Sequence, residues 1–259
     1  MMIEYIDTHV HLYDVAYDAD FNAVLERIKR SGVIKCILPG IDSSYYVRQE
    51  SCAERCAGFA VQAMGLHPTS VGENWKEELN FALARLHDGD KYVAIGEIGM
   101  DGYWSREFIK EQMEVFEKQL IAASELGLPV MIHAREATNE IFEVLDRVKH
   151  LPLKGVFHAF AGSIETFERI ISYGNFKVGI GGVVTYKNAA IAKTIEKIPL
   201  DCILLETDAP WLTPVPFRGK RNESTYLEHI ASKIAQIKNV PLEAVAAHTT
   251  CNAQKLFEI

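Results

Sequence analysis

The sequence of 259 residues lacks the features of several specialised protein classes. No apolar run approaches the roughly 20 residues that a membrane-spanning helix requires, so we expect no membrane segment. The first residues include Glu4 and Asp7, and they lack the basic start and apolar stretch of a secretory signal. We therefore expect a soluble, cytoplasmic protein.

Cysteine is scarce, and no stretch of the chain has the composition of a linker. The five cysteines are an odd number in a chain of this size, and Cys36 and Cys202 lie in apolar runs, which indicates reduced thiols. No Pro-, Gly- or Ser-rich tract, composition shift or low-complexity segment marks a boundary. We expect a single domain over residues 1–259, acting as a monomer.

Nucleotide-binding fingerprints are also missing. There is no P-loop, and the group Gly179, Gly181 and Gly182 fails to complete a dinucleotide fingerprint because Val184 occupies the last position. We therefore expect no organic cofactor.

The net charge of −8 argues against a broad basic surface that coats nucleic acid. It is compatible with a nuclease, because metal ions can supply the positive charge that a phosphodiester needs.

Short apolar runs rich in β-branched residues recur along the chain, each followed by a stretch with helical spacing. Phe21–Arg30 has an apolar face, and Gln112–Leu126 ends at a glycine as helices often do. Two further helices are predicted near Thr225–Ile237 and Leu242–Phe257. This alternation predicts an α/β fold, a single (β/α)8 TIM barrel with an extra C-terminal helix, with a doubly wound open sheet as the alternative. The predicted strands are Ile3–Ile6, Ile34–Leu38, Phe59–Met64, Tyr92–Ile95, Pro129–Ile132, Gly155–Phe157, Lys177–Ile180 and Ile203–Leu205.

Histidines and carboxylates occur at the downstream ends of these strands. Because parallel barrel strands bring their carboxyl ends to one mouth, residues far apart in sequence are expected to meet there. His9 and His11 project to the same side of their strand and can reach one ion. Imidazole with carboxylate suits Zn²⁺, Mn²⁺ or Mg²⁺. The predicted metal ligands are His9, His11, Glu97, His133, His158 and Asp208.

Two other residues near the predicted mouth are candidates for substrate binding. His67 follows the third strand, where either a metal ligand or a hydrogen-bonded pocket residue fits. Arg135 lies two residues beyond His133, and its forked donors suit a phosphate, although a scaffold salt bridge is an alternative. The remaining histidines are interpreted as surface or packing residues: His87, His150, His229 and His248.

A basic run past the eighth strand, residues 216–222, is the densest in the chain. We expect Lys220 and Arg221 in this run to bind substrate, with a solvated loop as the alternative. Aromatic residues on loops at the same side could stack bases or pack a loop. They are Tyr103, Trp104 and Trp211.

Six motifs, in order and over almost the whole chain, resemble the TatD family. They are Asp7–His11, Gly65–Pro68, Gly96–Asp101, His133–Arg135, His158–Ser163 and Glu206–Pro210. This family belongs to the amidohydrolase-like barrels, and its members are known as metal-dependent deoxyribonucleases. At Met100, Ala161 and Ser224 the sequence differs from the residues that are usual in this family, and none of the three is a predicted ligand.

The resemblance implies that the six predicted ligands are shared between two divalent ions. The division is His9, His11 and Asp208 on one ion, His133 and His158 on the other, and Glu97 bridging both. Many amidohydrolases place a modified lysine where Glu97 stands, so a carboxylate there favours phosphodiester chemistry. Asp208 is also positioned to accept a proton from a water, which makes Glu97 and Asp208 the expected catalytic residues.

The expected function is a metal-dependent phosphodiester hydrolase that acts on DNA, and the resemblance suggests an exonuclease preferring single strands. The alternative is a bimetal amidohydrolase or esterase acting on a small amide, lactone or aminoacyl ester. A barrel retained only for binding would be expected to have lost ligands, but all six are present.

Overall fold

The computed structural model of the chain describes residues 3–89 and 91–259, and its core is one sheet of eight parallel strands in chain order. The main-chain N–H of Thr8 donates to Leu205 over 3.1 Å, and Val10 bridges to Ala209, so the first and last strands meet and the barrel is nearly closed. The predicted fold is confirmed. The strands are β1 (Tyr5–Asp7), β2 (Val33–Leu38), β3 (Ala60–Met64), β4 (Tyr92–Asp101), β5 (Val130–Arg135), β6 (Lys154–Phe157), β7 (Asn175–Ile180) and β8 (Ile203–Leu205).

Most of the helices cover the outside of the barrel, where they bury apolar residues against the strands or against neighbouring helices. In the first helix Phe21, Val24, Leu25 and Ile28 are buried, at the spacing of one helical face. Within the described residues, no helix combines the length and apolar character needed to cross a membrane. The helices are α1 (Phe21–Arg30), α2 (Ser43–Arg55), α3 (Trp75–Arg85), α4 (Ile109–Leu126), α5 (Thr138–Arg147), α6 (Ile164–Ile171), α7 (Ile191–Lys197), α8 (Leu227–Lys238) and α9 (Leu242–Phe257).

β4 and β5 are longer than the sequence predicts. They pair as far as Asp101 and Arg135, past one irregularity in register, so Glu97 and His133 lie inside strands rather than after them. Glycines weaken a strand pattern, which is why the prediction ends too early. Gly99 is required inside β4 because a Cβ there would collide with the carbonyl oxygen of His133, and its φ of 132° favours glycine.

An apolar cluster separate from the main core fills the amino-terminal part of the barrel. This cluster joins residues from strands on opposite sides of the barrel, so its side chains must point into the barrel interior. Three residues of α9 complete it, so the additional C-terminal helix closes this end. We call this cluster the inner plug: Ile6, Ile37, Ala63, Ala94, Met131, Val156, Leu204, Ala253, Leu256 and Phe257.

Candidate metal centre

The six predicted ligands lie together at the carboxyl mouth of the barrel. Each follows an inner-plug residue of its own strand by a few positions, as His133 follows Met131 and His158 follows Val156. The chain therefore changes from apolar to ionisable side chains within two to five residues of the inner plug. His9, His11, Glu97 and His158 are buried, which keeps the groups close together and largely out of water.

One cluster surrounds a single point near the end of β1. The Nε2 atoms of His9 and His11 are 3.2 Å apart. Asp208 Oδ1 is 3.7 Å from the first and 3.5 Å from the second, and Glu97 Oε2 is 3.1 Å from His9. Ligands held at about 2.0–2.1 Å around a tetrahedral ion would be about 3.3 Å from one another. His9, His11 and Asp208 therefore have the spacing of a cation site, and Glu97 lies beside them, 4.0 Å from His11 Nε2.

A second cluster surrounds the other oxygen of Glu97. Oε1 lies 2.8 Å from His133 Nδ1, 3.0 Å from His158 Nε2 and 3.4 Å from His67 Nε2. Among the described residues, Glu97 belongs to two groups that are compact enough to hold a single metal ion. One group contains His67 and His133, and the other contains His9 and His158. The structure thus places His133 and His158 on the same carboxylate oxygen but in different compact groups.

Two of these histidines have a hydrogen-bond acceptor behind the ring. His11 Nδ1 is 2.7 Å from the hydroxyl of Tyr13, which itself donates to the carbonyl of Pro39 and so accepts from His11. His133 Nε2 is 2.8 Å from Asp101 Oδ2. Such an acceptor fixes the ring proton on the outer nitrogen and leaves the inner nitrogen free for a metal.

Glu206 lies behind the ring of His158, with Oε1 3.4 Å from Nδ1, as an ion-pair contact rather than a hydrogen bond. Glu206 is fully buried, and its Oε1 also accepts the main-chain N–H of Ala159. Gly179 makes room for it, because a Cβ there would collide with the carboxylate. Neither Tyr13 nor Glu206 is among the site residues predicted from the sequence; for Glu206, its position two residues before Asp208 is the one signal in the sequence.

The two carboxylates at the centre are ionised. Burial opposes the charge of Glu97, but the surrounding histidines, His158 and His9 foremost, hold the pKa of its carboxyl well below the usual range. Burial likewise opposes the charge of Asp208, and a hydrogen bond from His11 lowers its pKa. Both side chains can therefore act as anionic ligands at neutral pH.

Two histidines hold protons more tightly than usual in the metal-free chain. Burial lowers the pKa of His133, but hydrogen bonds to Asp101 and Glu97 outweigh it and raise the pKa overall. For His158, Glu97 and Glu206 overcome the same effect of burial and raise the pKa well above its usual value. A metal at this centre must displace those protons.

A buried carboxylate joins the two strand ends that carry the first cluster. Asp7 Oδ1 accepts the main-chain N–H of His9 at 3.3 Å and of Thr207 at 3.0 Å, while Oδ2 accepts the Thr207 hydroxyl at 2.6 Å. Asp208 follows with a φ of 54°, a left-handed conformation that Asp adopts more readily than most residues. These contacts fix His9 and Asp208 relative to each other.

The predicted substrate residues have different environments. Arg135 is exposed, with its guanidinium carbon 3.7 Å from the centre of the Tyr103 ring. Lys220 is exposed as well. Arg221 differs, because its guanidinium binds both oxygens of Asp20 at 2.7 and 2.8 Å and Glu223 at 3.0 Å. Its role in binding substrate stays a prediction, and its donors already serve a structural network.

An eight-stranded barrel whose carboxyl mouth gathers histidines around ionised carboxylates defines the class of barrel hydrolases that use divalent metal ions. Comparisons with known proteins place the chain within that class. Residues 6–258 match the family described as TatD related DNase. The chain therefore belongs to the TatD family of metal-dependent hydrolases.

Individual relatives agree with this assignment. The chain is 39% identical over 254 residues to YabD of Bacillus subtilis, an uncharacterized metal-dependent hydrolase, with 98% of each chain covered. The crystal structure of YjjV, a TatD homologue from Escherichia coli, matches with a TM-score of 0.89 and 32% identity over 100% of both chains. A TatD family hydrolase from Entamoeba histolytica, at 21% identity, shares the fold with a TM-score of 0.82 and coverage of 99% and 98%.

Proposed function

We propose that this chain hydrolyses phosphodiester bonds of DNA, using two divalent cations held at the candidate metal centre. The observation that carries the proposal is the division of Glu97 between two clusters: Oε2 faces His9, and Oε1 faces His133 and His158. A carboxylate with one oxygen in each cluster has the geometry of a bridging ligand. The chemistry of these donors, nitrogen and oxygen together, suits Mg²⁺, Mn²⁺ or Zn²⁺.

The proposed ligands are the six that the sequence predicts: His9, His11, Glu97, His133, His158 and Asp208. When bound, a pair of cations lowers the pKa of a water toward about 7 and clamps the attacking and leaving oxygens of a displacement at phosphorus. Asp208 is ionised, has a partly exposed side chain and lies at the mouth, so it can accept a proton from a water there. Glu97 is buried and positions the two clusters.

The mouth also carries groups suited to a nucleic acid strand. Arg135 presents an exposed guanidinium beside Tyr103, and Lys220 adds a second exposed cation. Trp104 is 71% exposed, and Trp211 packs edge-on against the proposed ligand His11 while remaining half exposed. Because exposed rings can stack on unpaired bases, we propose that the substrate is single-stranded DNA, digested from an end as the family resemblance suggests.

The test is digestion of end-labelled single-stranded and duplex DNA by the metal-reconstituted protein, with a His133→Ala variant as the control. We expect metal-dependent cleavage, faster on the single strand and lost in the variant. Aminoacyl esters and small amides are assayed in parallel. Cleavage of those compounds without cleavage of DNA would contradict the proposal and favour the amidohydrolase alternative.

A further inference from the structure

His67 differs from two other histidines of the metal centre, His11 and His133, in what lies behind its ring. His11 and His133 each have an acceptor at the outer nitrogen, the Tyr13 hydroxyl and the Asp101 carboxylate. The outer nitrogen of His67, Nδ1, instead accepts the main-chain N–H of Thr69 at 3.1 Å. A main-chain N–H can only donate, so Nδ1 uses its lone pair and carries no proton.

This contact is part of the backbone geometry rather than a chance approach. His67 is the capping residue of a short 3-10 turn over Pro68–Ser70, and its ring receives the first free N–H of that turn. The Thr69 hydroxyl is 2.7 Å from the same nitrogen, and a hydroxyl can rotate to donate as well. The neutral His67 ring therefore carries its proton on Nε2.

We infer that His67 is not a metal ligand but a hydrogen-bond donor, through Nε2–H, to a non-bridging phosphate oxygen of the substrate. Nε2 faces Glu97 Oε1 at 3.4 Å, the same oxygen that His133 and His158 approach. The His67 side chain is 13% exposed, so it lies at the border between the buried centre and the open mouth. The inference rests on the proposed function for the identity of the acceptor.

Two variants separate the roles of the ring nitrogens. His67→Gln places an amide N–H₂ near the position of Nε2 but loses the acceptor at Nδ1. His67→Asn places a carbonyl near Nδ1, preserving the cap, but has no donor that reaches the centre. Loss of one preorganised donor costs on the order of 10²–10³ in turnover. We expect that loss in His67→Asn and less than about tenfold in His67→Gln.

A measurement without substrate distinguishes donor from ligand. In the Zn²⁺-loaded protein, ¹⁵N spectra of the imidazoles should show a protonated Nε2 and an unprotonated Nδ1 for His67, assigned by its disappearance in His67→Asn. Thr69→Val, which removes the hydroxyl but keeps the N–H, should show the same tautomer. Zn²⁺ affinity should change less than twofold in His67→Asn, whereas loss of a ligand would lower it by at least about tenfold.

The outcomes separate this inference from the proposed function. A His67 ring with the proton on Nδ1, or a tenfold loss of Zn²⁺ affinity in His67→Asn, would overturn the donor role even if DNA is cleaved. Equal losses of turnover in both variants would overturn it as well. Failure of the wild-type protein to cleave DNA would instead refute the proposed function, with the tautomer and the metal affinity still measurable.

Discussion

The two ends of the barrel interior differ in what the same strands contribute to each. At the amino end, the inner plug contains only apolar side chains and is closed by Leu256 and Phe257 of α9. A few residues further along β4 and β5, Glu97 and His133 are ionisable and hydrogen-bonded to one another. Burial favours the plug, whereas burial of the polar centre is offset only by pairing. We therefore expect the plug to provide stability and the mouth to provide chemistry.

The largest expected effect is on the mouth side. Asp208→Asn preserves the volume of the side chain but removes its charge, so we expect turnover of single-stranded DNA to fall by on the order of 10³-fold. The melting temperature of the metal-free protein should not fall. His248→Ala is the control, because His248 is an exposed histidine of α9, away from the metal centre, and pairs with Asp201. Near-normal turnover in Asp208→Asn would refute its role.

The next largest effect is expected on stability, at the inner plug. Phe257→Ala should lower the free energy of unfolding by about 3–5 kcal/mol, because it leaves a cavity under the barrel. Turnover per folded molecule should remain unchanged at temperatures where the variant is folded. Lys255→Ala, an exposed position on the same helix, is the control and should change stability by less than about 0.5 kcal/mol. Denaturant titration measures both; a loss of turnover in folded Phe257→Ala would contradict the separation.

Metal binding connects stability to the mouth. With free Mn²⁺ or Zn²⁺ at 100 times its dissociation constant, the native state gains about 2.7 kcal/mol, or about 5–10 °C in melting temperature. At one fixed free-metal concentration, the gain should increase from pH 6 to pH 8, because the raised pKa of His133 and His158 means that protons compete with the metal and weaken its binding at the lower pH. Differential scanning calorimetry with and without EDTA checks both points. A shift that is larger at pH 6 would contradict the assignment of these ligands.

The smallest expected effect separates two neighbouring cations at the rim. Lys220→Ala should raise KM for DNA a few-fold and reduce the slope of log KM against log salt by about 1, with stability unchanged. Arg221→Ala should leave the salt slope unchanged but lower the free energy of unfolding by about 1–2 kcal/mol, since Asp20 and Glu223 lose their partner. Identical behaviour of the two variants would contradict the structural role of Arg221.

The sequence predicts the barrel and the grouping of the six ligands because both depend on periodic patterns. Alternating apolar runs specify the strands, and parallel strands oblige their carboxyl ends to share one mouth. Strand ends were less predictable. Gly99 looks like a strand breaker in the sequence, whereas in the barrel it allows the close approach of β4 to β5 at His133.

Contacts that depend on tertiary packing could not be predicted. Arg221 looks like part of a basic rim in the sequence, but its partner Asp20 is about two hundred positions away and joins it only after folding. The position of Glu206 behind His158 depends equally on the neighbouring strand, where Gly179 leaves the necessary space. Sequence patterns specify which residues reach the mouth, but not what each side chain contacts there.

In the function proposed for this chain, Glu97 bridges two cations. The most direct test is the metal content of the Mn²⁺- or Zn²⁺-reconstituted protein, measured by mass spectrometry of the metal in wild-type chain and in Glu97→Ala, with His248→Ala as control. We predict two ions per chain in the wild type and in the control, and at most one in Glu97→Ala. One ion per chain in the wild type, or two retained in Glu97→Ala, would contradict the claim.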